Sequence, residues 1–214
     1  MSTYLVTGAA GFIAARTSEM LAEQGHRVVG LDNLNDAYDR SLKERRLEAL
    51  KSLPGFAYLP GDVCDLPALE ETFAAEGPFD AVLNFAARAG VRQSVENPWV
   101  YLDTNAKGTL NLLELCKRHD IGKFILASTS SLYGGDNPIP YEETQNTDGP
   151  LSPYAASKKA AEAMCHSYRH LFDIDVTVLR FFTVYGPRQR PDLAISLFTQ
   201  TTEFYTSPTN WTAV

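Results

Sequence analysis

The side chains best placed to do chemistry are a tyrosine and a lysine one helical turn apart. Tyr154 and Lys158 stand at i and i+4 in Ser152-Pro153-Tyr154-Ala155-Ala156-Ser157-Lys158, which opens a long helical pattern. They therefore share one helix face. Ser152 suits the N-cap and Pro153 the first helical position. A tyrosine is a poor base at its ordinary pKa of about 10. A neighbouring ammonium stabilises the phenolate and brings it toward working pH. The same pair occurs on ordinary helices, so spacing alone leaves both readings open. Before it, Ala127-Ser128-Thr129-Ser130-Ser131 ends an expected strand in a run of hydroxyls. These can orient a substrate alcohol toward Tyr154, or only cap backbone groups.

A second group reads as a phosphate cradle. Thr7-Gly8-Ala9-Ala10-Gly11-Phe12-Ile13-Ala14 follows the first expected strand and opens a helix. Gly8 and Gly11 permit a tight turn and close approach to a pyrophosphate. The helix start at Phe12 and Ile13 offers N–H groups and a positive dipole end. A glycine turn alone can be purely structural, but its surroundings sharpen it. Asp32, with Asn33 beside it, ends the second strand twenty-one residues after Gly11, where an acid meets the adenosine ribose hydroxyls. Such an acid repels the extra phosphate of NADP, so NAD is the expected cofactor. Asp62 and Val63, past the third strand, are placed to meet the adenine; Asp62 could equally cap the next helix. Ala86 and Ala87, after the fourth strand, are small enough to let the cofactor pass.

These residues need elements to position them. Strands are expected at Tyr4–Thr7, Arg27–Leu31, Phe56–Leu59, Ala81–Phe85, Lys123–Ala127 and Asp175–Arg180. Helices are expected at Phe12–Gln24, Arg40–Lys51, Leu66–Ala75, Trp99–Arg118 and Pro153–Phe172. Strict alternation predicts an α/β fold with a doubly wound parallel sheet. Consecutive apolar residues in the strand cores, as in Ala81-Val82-Leu83, fit burial on both faces. One domain over residues 1–198 is expected, then an irregular tail over 199–214, where six of sixteen residues are Thr.

Composition narrows the partners. A net charge of −7 with no basic run disfavours a nucleic-acid surface. No run approaches about 18 apolar residues, so no membrane span is expected. The N-terminus has no signal-peptide pattern, and Cys64, Cys116 and Cys165 have no paired or metal-like spacing. A cytoplasmic chain with reduced thiols and no metal is the expectation.

Taken together, the glycine loop, Asp32, the hydroxyl-rich strand end and Tyr154-x-x-x-Lys158 resemble the extended short-chain dehydrogenase/reductases. Leu31-Asp32-Asn33-Leu34-Asn35-Asp36, Ala89-Gly90-Val91-Arg92, Glu96-Asn97-Pro98 and Arg180-Phe181-Phe182-Thr183-Val184-Tyr185-Gly186-Pro187 are similar to the UDP-glucuronate 4-epimerase branch. The likeness covers roughly residues 3–198. It implies a Rossmann-type domain binding NAD and a nucleotide sugar, with Thr129, Tyr154 and Lys158 catalytic and Ser128 a lesser candidate. Tyr154 and Lys158 would also touch the cofactor. Dehydratases of this family carry an Asp-Glu pair, and related decarboxylases a Glu, where Ser130 and Ser131 stand here, which favours simple epimerisation. Tyr154 would take the proton of the sugar 4-hydroxyl as hydride leaves C4 for NAD, and the 4-keto sugar would turn before hydride returns. Thr183 would contact the sugar carboxylate. Arg92 and Arg190 are charge partners for it, or solvated surface residues.

Asn105 either holds the long helix against the site, as in relatives, or caps that helix. Leu110, Leu113, Leu115 and Cys116 form a stripe suited to a homodimer of paired long helices or to the chain's own core. Arg16, the four histidines and the Arg40–Arg46 charge run read as surface. Family members continue well beyond Tyr185-Gly186-Pro187, and that part supplies the last strand and most of the substrate lobe. The chain is thus expected to lack most of that C-terminal lobe. An epimerase of this branch, another nucleotide-sugar 4-epimerase of the UDP-glucose type, and a dinucleotide-binding module without turnover all remain in view.

Overall fold

A computed structural model of the chain describes residues 1–189 and Phe198. It divides into two compact units, Met1–Phe182 and Thr183–Val214. In the first, six strands alternate with helices: β1 (Thr3–Thr7), α1 (Phe12–Glu23), β2 (Arg27–Asp32), α2 (Arg40–Lys51), β3 (Phe56–Pro60), α3 (Leu66–Glu76) and β4 (Ala81–Asn84). Then come α4 (Val91–Glu96), α5 (Pro98–Tyr101), a π-helical turn (Leu102–Lys107), α6 (Gly108–Arg118), β5 (Lys123–Thr129), a 3-10 turn (Ser130–Tyr133), α7 (Pro153–Phe172) and β6 (Asp175–Phe181). The strands form one parallel sheet in the order β3-β2-β1-β4-β5-β6. The order reverses between β1 and β4, and ligands of such sheets bind at the carboxyl ends beside that switch point. In the second unit, the Gly186 amide donates to Gln189 Oε1 at 3.1 Å. The expected irregular tail over 199–214 lies outside the described residues.

Both faces of the sheet are covered, which explains the unbroken apolar runs. Leu5, Val82, Phe124 and Leu126 pack with Leu69 and Phe73 of α3, Leu112 and Leu115 of α6, and Ala161 and Cys165 of α7. On the other face, Val6, Val28 and Leu83 meet Ala14 and Ala22 of α1. Gly108 lets α6 lie close to the β3–α3 connection, since a Cβ there would stand 2.6 Å from Val63 Cγ2.

The structure refines three readings. The helix expected over Trp99–Arg118 forms, starting at Pro98 and carrying a π turn at Leu102–Lys107, and the short α4 precedes it. The Arg40–Arg46 run is a solvated face only in part: Arg40, Glu44 and Arg45 are exposed, whereas Lys43 and Arg46 are buried together with Leu47 and Leu50. Their charged ends meet backbone carbonyls, Lys43 Nζ donating to Asn35 O at 2.9 Å and Arg46 to Ala10 O at 3.1 Å. Of the stripe that suited either a dimer or the chain's own core, Leu113, Leu115 and Cys116 are fully buried within the chain itself, while Leu110 is half-buried. The three cysteines are free thiols, and burial pushes Cys116 and Cys165 up to about 12. No helix among the described residues is long and apolar enough to cross a membrane.

Leu112 has no solvent exposure, in contact with the sheet and α3 side of the core. Leu112→Ala is expected to cost about 2–5 kcal/mol, read as a lower urea midpoint at unchanged m-value.

Candidate active site

The cleft begins where β1 turns into α1. Gly8 has φ +68°, and a Cβ on it would lie 2.8 Å from the Ala86 amide nitrogen. Its lack of a side chain is therefore required by the end of β4 as well as by any phosphate. The Gly11 amide donates to Gly8 O at 2.8 Å, and a Cβ on Gly11 would stand 2.8 Å from that same oxygen. Gly11 caps α1 without any side-chain hydrogen bond, so the N–H groups of its first turn, at Phe12 and Ile13, are not covered by a capping side chain. Arg46 holds this loop through Ala10 O and also donates to the Tyr38 hydroxyl.

Asp32 is buried at the end of β2 and accepts from the Ala10 amide at 3.1 Å and the Leu34 amide at 2.8 Å. Each of its oxygens keeps acceptor capacity for a ribose hydroxyl. Asn33 Nδ2 donates to Asp62 Oδ2 at 2.8 Å, and the Cys64 amide to Asp62 Oδ1 at 2.8 Å. Burial raises the Asp62 carboxyl, but these hydrogen bonds outweigh it and hold the group below its ordinary value. Asp62 does not cap α3; Asp65 does, accepting from the Ala68 amide. Val63 is buried, and its carbonyl accepts from Asn111 Nδ2 at 2.8 Å. Ala86 and Ala87 are half-buried, with the Ala86 amide tied to Thr7 Oγ1. These residues fit a dinucleotide: a cradle that a Cβ would fill, an uncapped helix start for diphosphate, and carboxylate acceptors for ribose hydroxyls.

The tyrosine–lysine pair sits on α7 as expected. Ser152 caps the helix, accepting from the Ala155 amide at 3.1 Å. Lys158 is buried, and its ammonium donates to Ala127 O of β5 at 2.9 Å. Burial lowers its pKa to about 8, against partial restoration by Cys165 and Glu162. Half-buried Tyr154 meets Tyr101 edge to face, with ring centroids 6.1 Å apart, and the Tyr101 hydroxyl donates to Ala89 O. Thr129 is buried and accepts from the Ser131 amide. Ser128 donates instead to Glu162 Oε1 at 2.5 Å. Side chains alternate along a strand, so Thr129 turns away from Glu162 while Ser128 is engaged beneath α7. Glu162 is also gripped by Arg180 through Nε at 3.0 Å and Nη2 at 2.8 Å.

Asn105 is no helix cap. From the π turn it accepts from the Arg88 amide at 2.8 Å and donates to Arg88 O and Ser157 Oγ, each at 3.0 Å. Both amide protons are thus spent on protein, and it bears on a cofactor through what it positions. Arg92 is exposed on α4. Thr183 is exposed at the start of the second unit, and Arg190 lies outside the described residues. Tyr101, Glu162, Arg180 and Arg46 were not singled out from sequence for the parts they play. No metal-holding cluster of His, Cys, Asp or Glu exists among the described residues.

Residues 4–203 match the NAD dependent epimerase/dehydratase family. The chain belongs to this family. It is 52% identical over 198 residues to a UDP-glucuronate 4-epimerase of Thermodesulfobacterium geofontis, covering 92% of this chain and 61% of that protein. Among solved structures it is similar to the UDP-glucuronic acid 4-epimerase of Bacillus cereus in complex with UDP-glucuronic acid and NAD. The identity there is 37% and the TM-score 0.83, covering 94% of this chain and 63% of that one. It also matches the UDP-glucose 4-epimerase of Thermotoga maritima with UDP-glucose, at 31% identity and TM-score 0.83, covering 92% and 62%. The chain spans between 45% and 61% of the length of the curated relatives it matches.

Burial of Lys158 gives this member of the epimerase/dehydratase family a pH signature. Unfolded, the lysine releases its proton near its ordinary 10.5, whereas the native state does so at about 8. Below about 8 the native state carries the full burial cost, and that cost is relieved as pH rises through the window. Wild-type stability should therefore climb relative to Lys158→Met between pH 8 and 10.5. Urea unfolding across that range checks it, and parallel curves would contradict it.

Proposed function

We propose that the chain is the NAD-binding and catalytic part of a UDP-glucuronate 4-epimerase. The observation that carries the reading is the buried Lys158 ammonium, anchored on Ala127 O and one turn from Tyr154, at the hydroxyl-bearing end of β5. Gly8, Gly11, Phe12 and Ile13 would hold the diphosphate, Asp32 and Asn33 the adenosine ribose, Asp62 and Val63 the adenine, and Ala86 and Ala87 the passage between. NAD, when bound, supplies reversible hydride acceptance at C4 of the sugar.

In this reading Tyr154, as phenolate, takes the proton from the 4-hydroxyl while the C4–H bond gives up hydride. Lys158 supports the phenolate because its positive charge lowers the cost of the tyrosinate form. Its amine is bound to a neutral carbonyl, so that charge is not cancelled by a carboxylate contact at the same atom. Thr129 hydrogen-bonds O4 and keeps the hydroxyl in line with Tyr154. After the keto sugar turns, Tyr154 returns the proton to O4 as C4 regains hydride on its other face. No oxidation state changes overall. Ser130 and Ser131 give the site no carboxylic acid next to Thr129, so neither water loss nor decarboxylation finds its acid there. Arg92, Thr183 and Arg190 are assigned to the sugar carboxylate, and Ser128 supports Thr129 from the other strand face. Self-association is assigned to the solvent-facing sides of α6 and α7, which leave Leu171 and Phe172 exposed.

The test is chromatography of UDP-sugars after incubation of the purified chain with UDP-glucuronate and NAD. UDP-galacturonate should form and should fall by at least about a hundredfold in Tyr154→Phe, the scale of a lost general base. Turnover of UDP-glucose but not UDP-glucuronate would move the assignment to the other 4-epimerase class. Bound NAD without any product would leave a dinucleotide-binding module.

A further inference from the structure

Two loops flank the glycine-rich turn, one on each side of the switch point. Asp36 follows β2 and Arg88 follows β4, and β1 lies between those strands. The turn Gly8–Gly11 leaves β1 in the gap, with its Ala9 amide on Leu31 O to one side and Gly8 packed on Ala86 to the other. Across this gap Arg88 Nη2 stands 3.8 Å from Asp36 Oδ1.

Both ends of the contact are anchored through backbone. Arg88 is gripped at its N–H and C=O by the buried amide of Asn105. Asn35, next to Asp36, is held by the buried Lys43, whose ammonium donates to both its backbone and side-chain oxygens. The contact itself is loose: Asp36 is 98% exposed and Arg88 23%. A long contact with one partner fully in water opens at small cost, which suits a barrier that must let a ligand enter. A guanidinium in the loop beside this turn carries five donors that match the oxygens of a diphosphate.

Resting on the reading that this cleft binds NAD, we infer that Arg88 and Asp36 form a strap over the bound dinucleotide and slow its release. A reaction that takes and returns hydride at one site gains nothing from releasing its cofactor, so retention has a use here. Arg88 also helps, as the smallest of several causes, to hold down the carboxyl of Asp62, the expected adenine contact.

The experiment is release of a fluorescent NAD analogue from the intact 214-residue chain, chased with excess NAD in a stopped-flow instrument. Arg88→Gln and Asp36→Asn should each speed release about two- to fivefold, the kinetic equivalent of one exposed ion pair. The double variant should be no faster than Arg88→Gln alone, and Arg88→Lys should fall between wild type and Arg88→Gln. Wild-type release should accelerate with salt more than release from Arg88→Gln does, an effect that loss of packing does not produce. Unchanged rates, additive rates, or an effect of Arg88→Gln without one of Asp36→Asn would overturn the strap while NAD binding stands. A wild-type chain with native circular dichroism that binds no NAD would overturn the binding assignment and the strap with it.

Discussion

Asn105 carries a primary amide into the interior with 1% of its surface exposed, and an amide buried there must be met by protein on every side. Each polar atom left unmet would cost about 1–3 kcal/mol, so the groups around it are not free to drift. Arg88, Ser157 and the π turn are drawn to one point. A second buried relay leads to the same place. Thr7 donates to Asn84, Asn84 to Thr109, and Thr109 to Asn105 O. The ends of β1 and β4, the start of α6 and the first turns of α7 are thereby tied together at the carboxyl edge of the sheet. Loops placed this way are held to the strands beneath them by buried hydrogen bonds, and the proposed hydride transfer depends on groups fixed in place.

Charge at the reactive end is handled by separation. Lys158 rests on a carbonyl, whereas the half-buried Glu162, one turn further along α7, is occupied by Arg180 and Ser128. Had Glu162 paired with Lys158 directly, the ammonium would do less for a phenolate beside it. Arg180 also lies over the Tyr133 ring, which joins β6 to the 3-10 turn just after Thr129. The hydroxyl-bearing end of β5 and the ammonium are thus braced by different partners.

Much of this is legible in the residue order because it depends on local rules. Glycines at a strand end, an acid after β2, and Ser-Pro before a helix each act within a few residues. Less legible are contacts that span the chain. Ser128 and Thr129 are chemically near-equal in sequence, and only the pairing of β5 with β6 and α7 sends one to Glu162. Lys43 and Arg46 look like surface charges because charge usually means water; here long stems cross a helix face to reach carbonyls of another loop. Leu113, Leu115 and Cys116 sit on a face that could meet another subunit or the sheet, and periodicity cannot tell the two apart.

The π turn has a consequence for how this chain can diverge. A π turn is in effect one residue more than an α-helix would use, so the faces of α5 and α6 are offset by about 100° from a continuous helix. Asn105 reaches the cleft because of that extra residue, and Leu112 and Leu115 still reach the core because it is absorbed before them. Residue identity within Leu102–Lys107 can drift wherever a side chain faces water. Its length cannot, because removing one residue would rotate either the amide out of the cleft or the leucines out of the core.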